Sequence, residues 1–234
     1  MNHRTKKSDF IGRRKTKPLK PGPSRLVKEL LPELKISPEM PASRDLALLF
    51  PDTDRVYLEI GFGSGEHLIH RASNDPTTGY IGVEPFINGL SQALVQIDAR
   101  GLGNIRLYDD DAGAFLDWLP ERSLERVSLL YPDPWHKFKH WKRRFVSVRN
   151  LDRIARVLKP GGLFLFASDI EHYVGWTLNQ CHSHFAFDWP ALRAEEWNQT
   201  DNGAFGNWPG TRYEAKALRE GRLPTYLTFT RMDT

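Results

Sequence analysis

Asp133 stands between two prolines at the head of the stretch YPDPWHKFKHWKRRF, residues 131–145, whose remainder is cationic and aromatic. Pro132 and Pro134 lack amide donors and stiffen the turn, which keeps the acid out of a helix. Behind it come Lys137, Lys139, Lys142, Arg143, Arg144 and Arg149, with no acid between Pro134 and Leu151. Such a run suits phosphate contacts. Trp135 offers a flat face on which a base can stack, and Phe138 and Trp141 alternate with the cations, a pattern unlike buried core. His136 and His140 are four apart, but no further ligands cluster with them, so no metal site is expected.

Other chemistry-bearing residues lie upstream. LEIGFGSGEH places Gly61, Gly63 and Gly65 at G-x-G-x-G spacing, where the missing Cβ atoms allow a tight turn and close approach to a ligand. The later glycine of a dinucleotide fingerprint is absent. Glu59, just ahead of the turn, is unwelcome beside a pyrophosphate and helpful beside a cation. Both facts point away from NAD and toward S-adenosylmethionine, whose aminoacyl end carries an ammonium and a sulfonium. Glu84, 23 residues after Gly61, is spaced to accept hydrogen bonds from both ribose hydroxyls. Asp111 is placed to meet the adenine amino group, directly or through neighbouring backbone, although Asp109 and Asp110 leave the choice among the three open. Asp133 is aimed at the transferable methyl group.

These residues must be held at the carboxyl ends of strands. VYLEIG (56–61), YIGVE (80–84), the region of NIRLYDDDA, RVSLLY (126–131) and LFLFAS (163–168) read as five strands. Two more lie near FAFDW and TYLTFTR. Between them run helical patterns: Leu90, Leu94 and Ile97 stopping at Gly101, and Val148, Leu151, Ile154, Ala155 and Leu158 stopping at KPGG (159–162). The expectation is an α/β fold, a doubly wound, mostly parallel, seven-stranded Rossmann-like sheet, whose ligands lie just after the strands.

The chain of 234 residues suits one domain with extensions, and no apolar run approaches the length of a membrane span. Residues 1–26 hold nine Lys and Arg against one acid, Asp9, a net of +8 where the whole chain is +4, so the remaining 208 residues are net −4. The segment 1–26 reads as a mobile basic arm that attracts polyanions, and 27–234 as the folded domain. The arm lacks the apolar core of a secretory signal, and the single cysteine, Cys181, cannot form an internal disulfide; both fit a cytoplasmic protein.

With these residues in place, the sequence resembles the bacterial tRNA (guanine-N7-)-methyltransferase family, which belongs to the class I S-adenosylmethionine-dependent methyltransferases. LEIGFGSGEHL, YIGVEPF, DDDA, YPDPWHKFKHWKRRF, ASD and TRYE occur in that family's order over nearly all of the chain after the arm. PDPW followed by a basic run, with TRYE far downstream, is the specific part. The resemblance implies methyl transfer to N7 of guanosine 46 in the tRNA variable loop, with Glu59, Glu84, Asp111 and Asp133 lining the donor pocket and Asp133 as the catalytic residue. It further implies that Lys137, Asp169, Thr211, Arg212, Tyr213 and Glu214 contact the substrate. The last motif more usually reads Thr-Lys-Phe-Glu, so Arg212 and Tyr213 are conservative departures, and Trp141 is atypical. Lys139, Arg143 and Arg144 are expected to contact phosphates, tRNA is the expected partner, and the protein is expected to be a monomer or a homodimer. Rival readings are a methyltransferase acting on an exocyclic amino group, whose turn would place two prolines together, and a non-catalytic RNA-binding protein, against which the acids at successive strand ends argue.

Overall fold

In the computed structural model, which describes residues 14–39, 45–191 and 203–233, seven strands form one sheet. They are β1 (Arg55–Ile60), β2 (Thr78–Val83), β3 (Ile105–Tyr108), β4 (Leu124–Leu130), β5 (Leu158–Ser168), β6 (Phe187–Asp188) and β7 (Thr225–Arg231), in the spatial order β3-β2-β1-β4-β5-β7-β6. β1 to β5 are parallel, and β7 runs antiparallel to β5 and β6. The order reverses between β1 and β4. Gly61, Glu84, Asp111, Asp133 and Asp169 all follow parallel strands and so share the carboxyl edge, the expected ligand edge.

Nine α-helices occur among the described residues: α1 (Pro21–Glu29), α2 (Leu31–Leu34), α3 (Leu46–Leu49), α4 (Glu66–Asn74), α5 (Ile87–Arg100), α6 (Ala112–Trp118), α7 (Val148–Val157), α8 (Glu171–His182) and α9 (Arg212–Arg219). The period of two along each strand divides the apolar side chains between two faces. Leu58, Ile60, Ile81 and Val83 pack with Phe115, Leu151 and Ile154 of α6 and α7. Tyr57 and Tyr80 face the opposite cluster of Leu68, Leu90, Leu94 and Ile97 from α4 and α5. Glu59 shares the face of Tyr57 and is thereby directed toward α4. α5 stops where expected, because Gly101 takes a left-handed φ of 60°.

Three expectations need correction. The packed fold begins before residue 26: α1 starts at Pro21, and Leu26 is buried with the α5 side chains. Residues 1–13 of the expected arm lie outside the described residues. Val148 is largely exposed, since it occupies the first turn of α7, after the Ser147 cap; the buried stripe starts at Leu151. Finally, β5 starts at Leu158, before the glycines. Leu158 pairs with Leu124 and Leu163 with Arg126, so Lys159–Gly162 forms an irregularity inside the strand, which the left-handed Gly161 (φ 76°) permits.

Gly82 of β2 lies beneath α4 and the glycine turn: a Cβ there would sit 2.6 Å from Phe62 and 2.7 Å from Leu68. Gly82→Ala should therefore lower the unfolding free energy by about 1–3 kcal/mol through overpacking. Urea titration checks this, and an unchanged midpoint and slope would contradict the packing described.

Candidate active site

The turn after β1 is built on left-handed backbone: Gly61, Gly63 and Gly65 have φ of 71°, 58° and 84°. The Gly65 amide donates to Phe62 O at 2.9 Å and closes the turn, and Gly65 caps α4. Helix α5 approaches so closely that a Cβ on Gly89 would lie 2.6 Å from Gly63 O. Glu84, at the end of β2, is the hub of this region. Its Oε2 accepts from the Gly63 amide and its Oε1 from the Phe86 amide, each at 2.8 Å. Burial pushes its carboxyl up; the two amides oppose the shift, and neighbouring Asp133 and Glu59 add to it.

At the end of β3 the three aspartates separate by role. Asp109 pairs with Lys35 at 2.8 Å and Asp110 with Arg14 at 2.5 Å. Asp111 caps α6, accepting from Ala114 N at 2.7 Å, and it alone of the three lines the central cavity.

The turn after β4 is strained on both sides of its acid. Tyr131 and Trp135 have φ of 49° and 46°, a left-handed conformation that costs a non-glycine residue on the order of 1–3 kcal/mol. The prolines between them remove two amides that would otherwise need partners. Asp133 therefore projects from a stiff turn, with no hydrogen bond or ion pair to any described residue. The surrounding protein pushes its carboxyl up by desolvation, although the group opens to solvent at the cavity mouth.

Glycines 61 and 63, Glu84, Asp111, Asp133, Trp135 and Tyr213 line one cavity of about 880 Å³, which Lys142, Arg143, Arg144, Arg149 and Arg153 also line. Glu59 is not part of that lining. It is buried behind the glycine turn, with its Oε2 2.6 Å from His67 Nδ1. The His67 ring packs on Trp208, whose indole N–H donates to Glu214. Glu214 also accepts from the Tyr131 hydroxyl at 3.4 Å, and Thr211 caps α9 by accepting from Glu214 N. TRYE is thus tied to the Asp133 turn through a bond between residues 83 apart in the sequence. Arg212 pairs with Glu66, and the half-exposed Tyr213 stacks toward Tyr131 with ring centres 6.5 Å apart. Asp169 accepts from Arg222 Nε at 2.7 Å.

The basic stretch forms a 3-10 helix over Phe138–Arg143. Lys137 and Lys139 are exposed, and the Arg143 guanidinium lies 5.0 Å from the centre of the Trp135 ring. Arg144 corrects the expectation of a phosphate contact: it is only 3% exposed and its donors are turned inward. The two histidines have different ring partners, His136 against His172 and His140 against Trp135. No group of three or more potential metal ligands gathers among the described residues. Sequence reasoning missed Gly89, Trp208, Arg222 and His172, which act through contacts distant in the chain.

Residues 53–226 match a family model described as "Putative methyltransferase". A tRNA (guanine-N(7)-)-methyltransferase of Rhizobium meliloti is 59% identical over 223 residues, covering 95% of this chain and 94% of that protein. Its counterpart in Brucella anthropi is 59% identical over 224 residues with the same coverage. Among solved structures, the 16S rRNA methyltransferase KamB superposes with a TM-score of 0.55 at 17% identity, covering 80% of this chain and 93% of that one, a likeness of fold. With the glycine turn and the acids at successive strand ends gathered on one cavity, the chain belongs to the tRNA (guanine-N(7)-)-methyltransferase family.

Proposed function

We propose that Glu84, Asp111 and Asp133 form the charged lining of an S-adenosylmethionine site, that the basic wall beside it receives tRNA, and that Asp133 serves methyl transfer to N7 of guanosine 46. The observation that carries this reading is the gathering of three strand-end carboxylates and a set of cations on one cavity. Glu84, Asp111 and Asp133 have no ion-pair partner among the described residues, and Lys142, Arg143, Arg144, Arg149 and Arg153 line the same cavity. A ligand bearing positive charge suits the first, and a phosphodiester the second.

The residues present fit the donor. Gly61 has open space where a Cβ would lie, so the turn leaves room for a ligand against its backbone. Each oxygen of Glu84 keeps an acceptor lone pair after its backbone contact, enough for a vicinal ribose diol. When bound, S-adenosylmethionine supplies an electrophilic methyl group on a positively charged sulfur. Gly61, Gly63, Gly65, Glu84 and Asp111 would hold it, with Glu59 adding negative charge from behind the turn.

N7 of a neutral guanine has a free lone pair and no proton to lose, so the reaction requires no general base. Positioning dominates, and holding the reacting atoms in line is worth roughly 7–11 kcal/mol. The guanine ring gains positive charge as it is methylated. A carboxylate held beside it by a stiff turn stabilises that charge, and its oxygens can accept from guanine N–H groups. Trp135 and Tyr213 offer faces for the base at the same opening. Lys137, Lys139 and Arg143 meet phosphates, while Asp169, Thr211, Arg212 and Glu214 complete the substrate side. The protein works in the cytoplasm as a monomer or homodimer.

Replacing Asp133 separates function from stability. Asp133→Asn should lower kcat on the order of 10²–10³-fold while leaving the calorimetric Kd for S-adenosylmethionine within about threefold; retained turnover would remove Asp133 from the mechanism. Because folding raises this carboxyl, its ionised form is the one that folding disfavours. The cost is absent below the range of an unfolded aspartate and grows as pH rises through the raised value. Asp133→Asn should accordingly melt no lower than the parent protein at neutral pH, with any gain closing in acid. A lower Tm at neutral pH would contradict this.

Salt dependence tests the basic wall. The logarithm of tRNA affinity should fall linearly with the logarithm of salt, and removing Lys137, Lys139 or Arg143 singly should flatten the slope by roughly 0.7–0.9 each. A slope indifferent to all three would place the RNA elsewhere.

A further inference from the structure

Arg144 is a buried cation with no carboxylate partner among the described residues. Burying a guanidinium without a counter-ion is unfavourable by several kcal/mol unless other groups compensate. Its compensation is specific. Nε donates to Pro134 O at 3.1 Å, Nη1 to His172 O at 3.2 Å, and Nη2 lies 2.5 Å from His172 Nδ1. The guanidinium carbon lies 4.1 Å from the centre of the Trp141 ring and 4.7 Å from that of Tyr173. Trp141 in turn stacks on the His172 ring, 5.6 Å between centres at 19°.

These contacts join three pieces of the site. Pro134 closes the turn that carries Asp133, and its carbonyl belongs to the peptide leading into the left-handed Trp135. Trp141 lies inside the basic 3-10 segment. His172 belongs to the first turn of α8, three residues after Asp169. A non-glycine residue stays in left-handed backbone only when its surroundings over-determine it. Among the described residues, Arg144 is the one whose side chain grips the Pro134–Trp135 peptide.

We propose that Arg144 is a positioning residue: it locks the Asp133 turn to α8 and to the basic segment, so that the methyl-transfer centre and the RNA-gripping wall keep one fixed relation. Its guanidinium acts on the reaction through Pro134 and not by touching phosphate. This rests on the reading that Asp133 stands at the reacting centre. It also gives Trp141, atypical for the family, a role as the aromatic lid on the clamp.

The test uses the full chain with saturating unmodified tRNA. Arg144→Lys keeps the charge but loses the planar fork, and kcat should fall about 10–100-fold, as expected for a misplaced reacting group. The Kd values for S-adenosylmethionine and tRNA, and the salt slope of tRNA binding, should stay within about twofold of the parent. A kcat equal to the parent's would overturn the proposal, as would weaker tRNA binding with a flatter salt slope and unchanged kcat, the signature of a phosphate contact. His172→Leu, remote from the cavity lining, provides a second arm that stands even if Arg144→Lys does not fold. It should lower kcat without changing either affinity, whereas His172→Asn, which keeps an acceptor, should restore much of the loss. Unchanged kcat in His172→Leu would also overturn the clamp. Where both fold, Arg144→Lys combined with His172→Leu should be no slower than Arg144→Lys alone, and additive losses would contradict a shared clamp. Asp133→Asn assayed in parallel separates the two ideas: full turnover there sinks the reading of Asp133, whereas an inactive Asp133→Asn beside a fully active Arg144→Lys sinks the clamp alone.

Discussion

The site depends on one constraint: Asp133 must remain unpaired within reach of a dense group of cations. An acid next to Lys137, Lys139 and Arg143 on flexible backbone would form ion pairs with them and be lost to chemistry. The turn prevents this. Two prolines remove its amides, two left-handed residues set its exit angles, Lys139 and Arg143 are wound into a 3-10 segment, and Arg143 lies against the Trp135 ring. The outcome is a carboxylate whose proton is held more tightly than usual, on a cavity that Glu84 and Asp111 also line. Burial raises the carboxyls of Glu84 and Asp133, with like charge from Asp133 and Glu59 adding to it at Glu84, and a positively charged donor is the electrostatic complement of both.

The rest of the fold serves this arrangement from a distance. The parallel sheet brings five strand ends to one edge, so residues separated by a hundred positions in sequence meet across one cavity. Glycines at 61, 63 and 65 supply left-handed backbone, and Gly89 lets α5 approach the Gly63 carbonyl. Buried polar chains then fix the rim: Glu59 to His67, His67 against Trp208, Trp208 to Glu214, and Glu214 to Tyr131. Glu59, expected at the donor pocket, is held by a buried contact with His67 and stands outside the cavity lining.

Much of this was legible in the sequence because it is local. Strand runs, the glycine spacing, Glu84 and the Pro-Asp-Pro turn are all set within a few residues of themselves. Hydrophobic periodicity placed the sheet and most helices. What local pattern could not supply was partnership. Arg144 sits in a run of cations that reads as uniformly solvated, yet its neighbours His172, Tyr173 and Trp176 arrive from α8, about thirty residues on. Nor does local pattern distinguish the three aspartates: Lys35 and Arg14 pair with Asp109 and Asp110, and Asp111 lines the cavity. Helix α1 was hidden by prolines and cations that resemble a linker, although Pro21 stands at a helix start, where proline is tolerated, and Leu26 supplies the buried contact.

The most direct measurement is the location of the methyl group. Unmodified tRNA incubated with the purified chain and labelled S-adenosylmethionine should carry label at N7 of a single guanosine, revealed by chain cleavage at that nucleotide, and the label should be lost when Asp133 is replaced. Label on an exocyclic amino group, which leaves the chain intact, or labelling that persists without Asp133, would contradict the account.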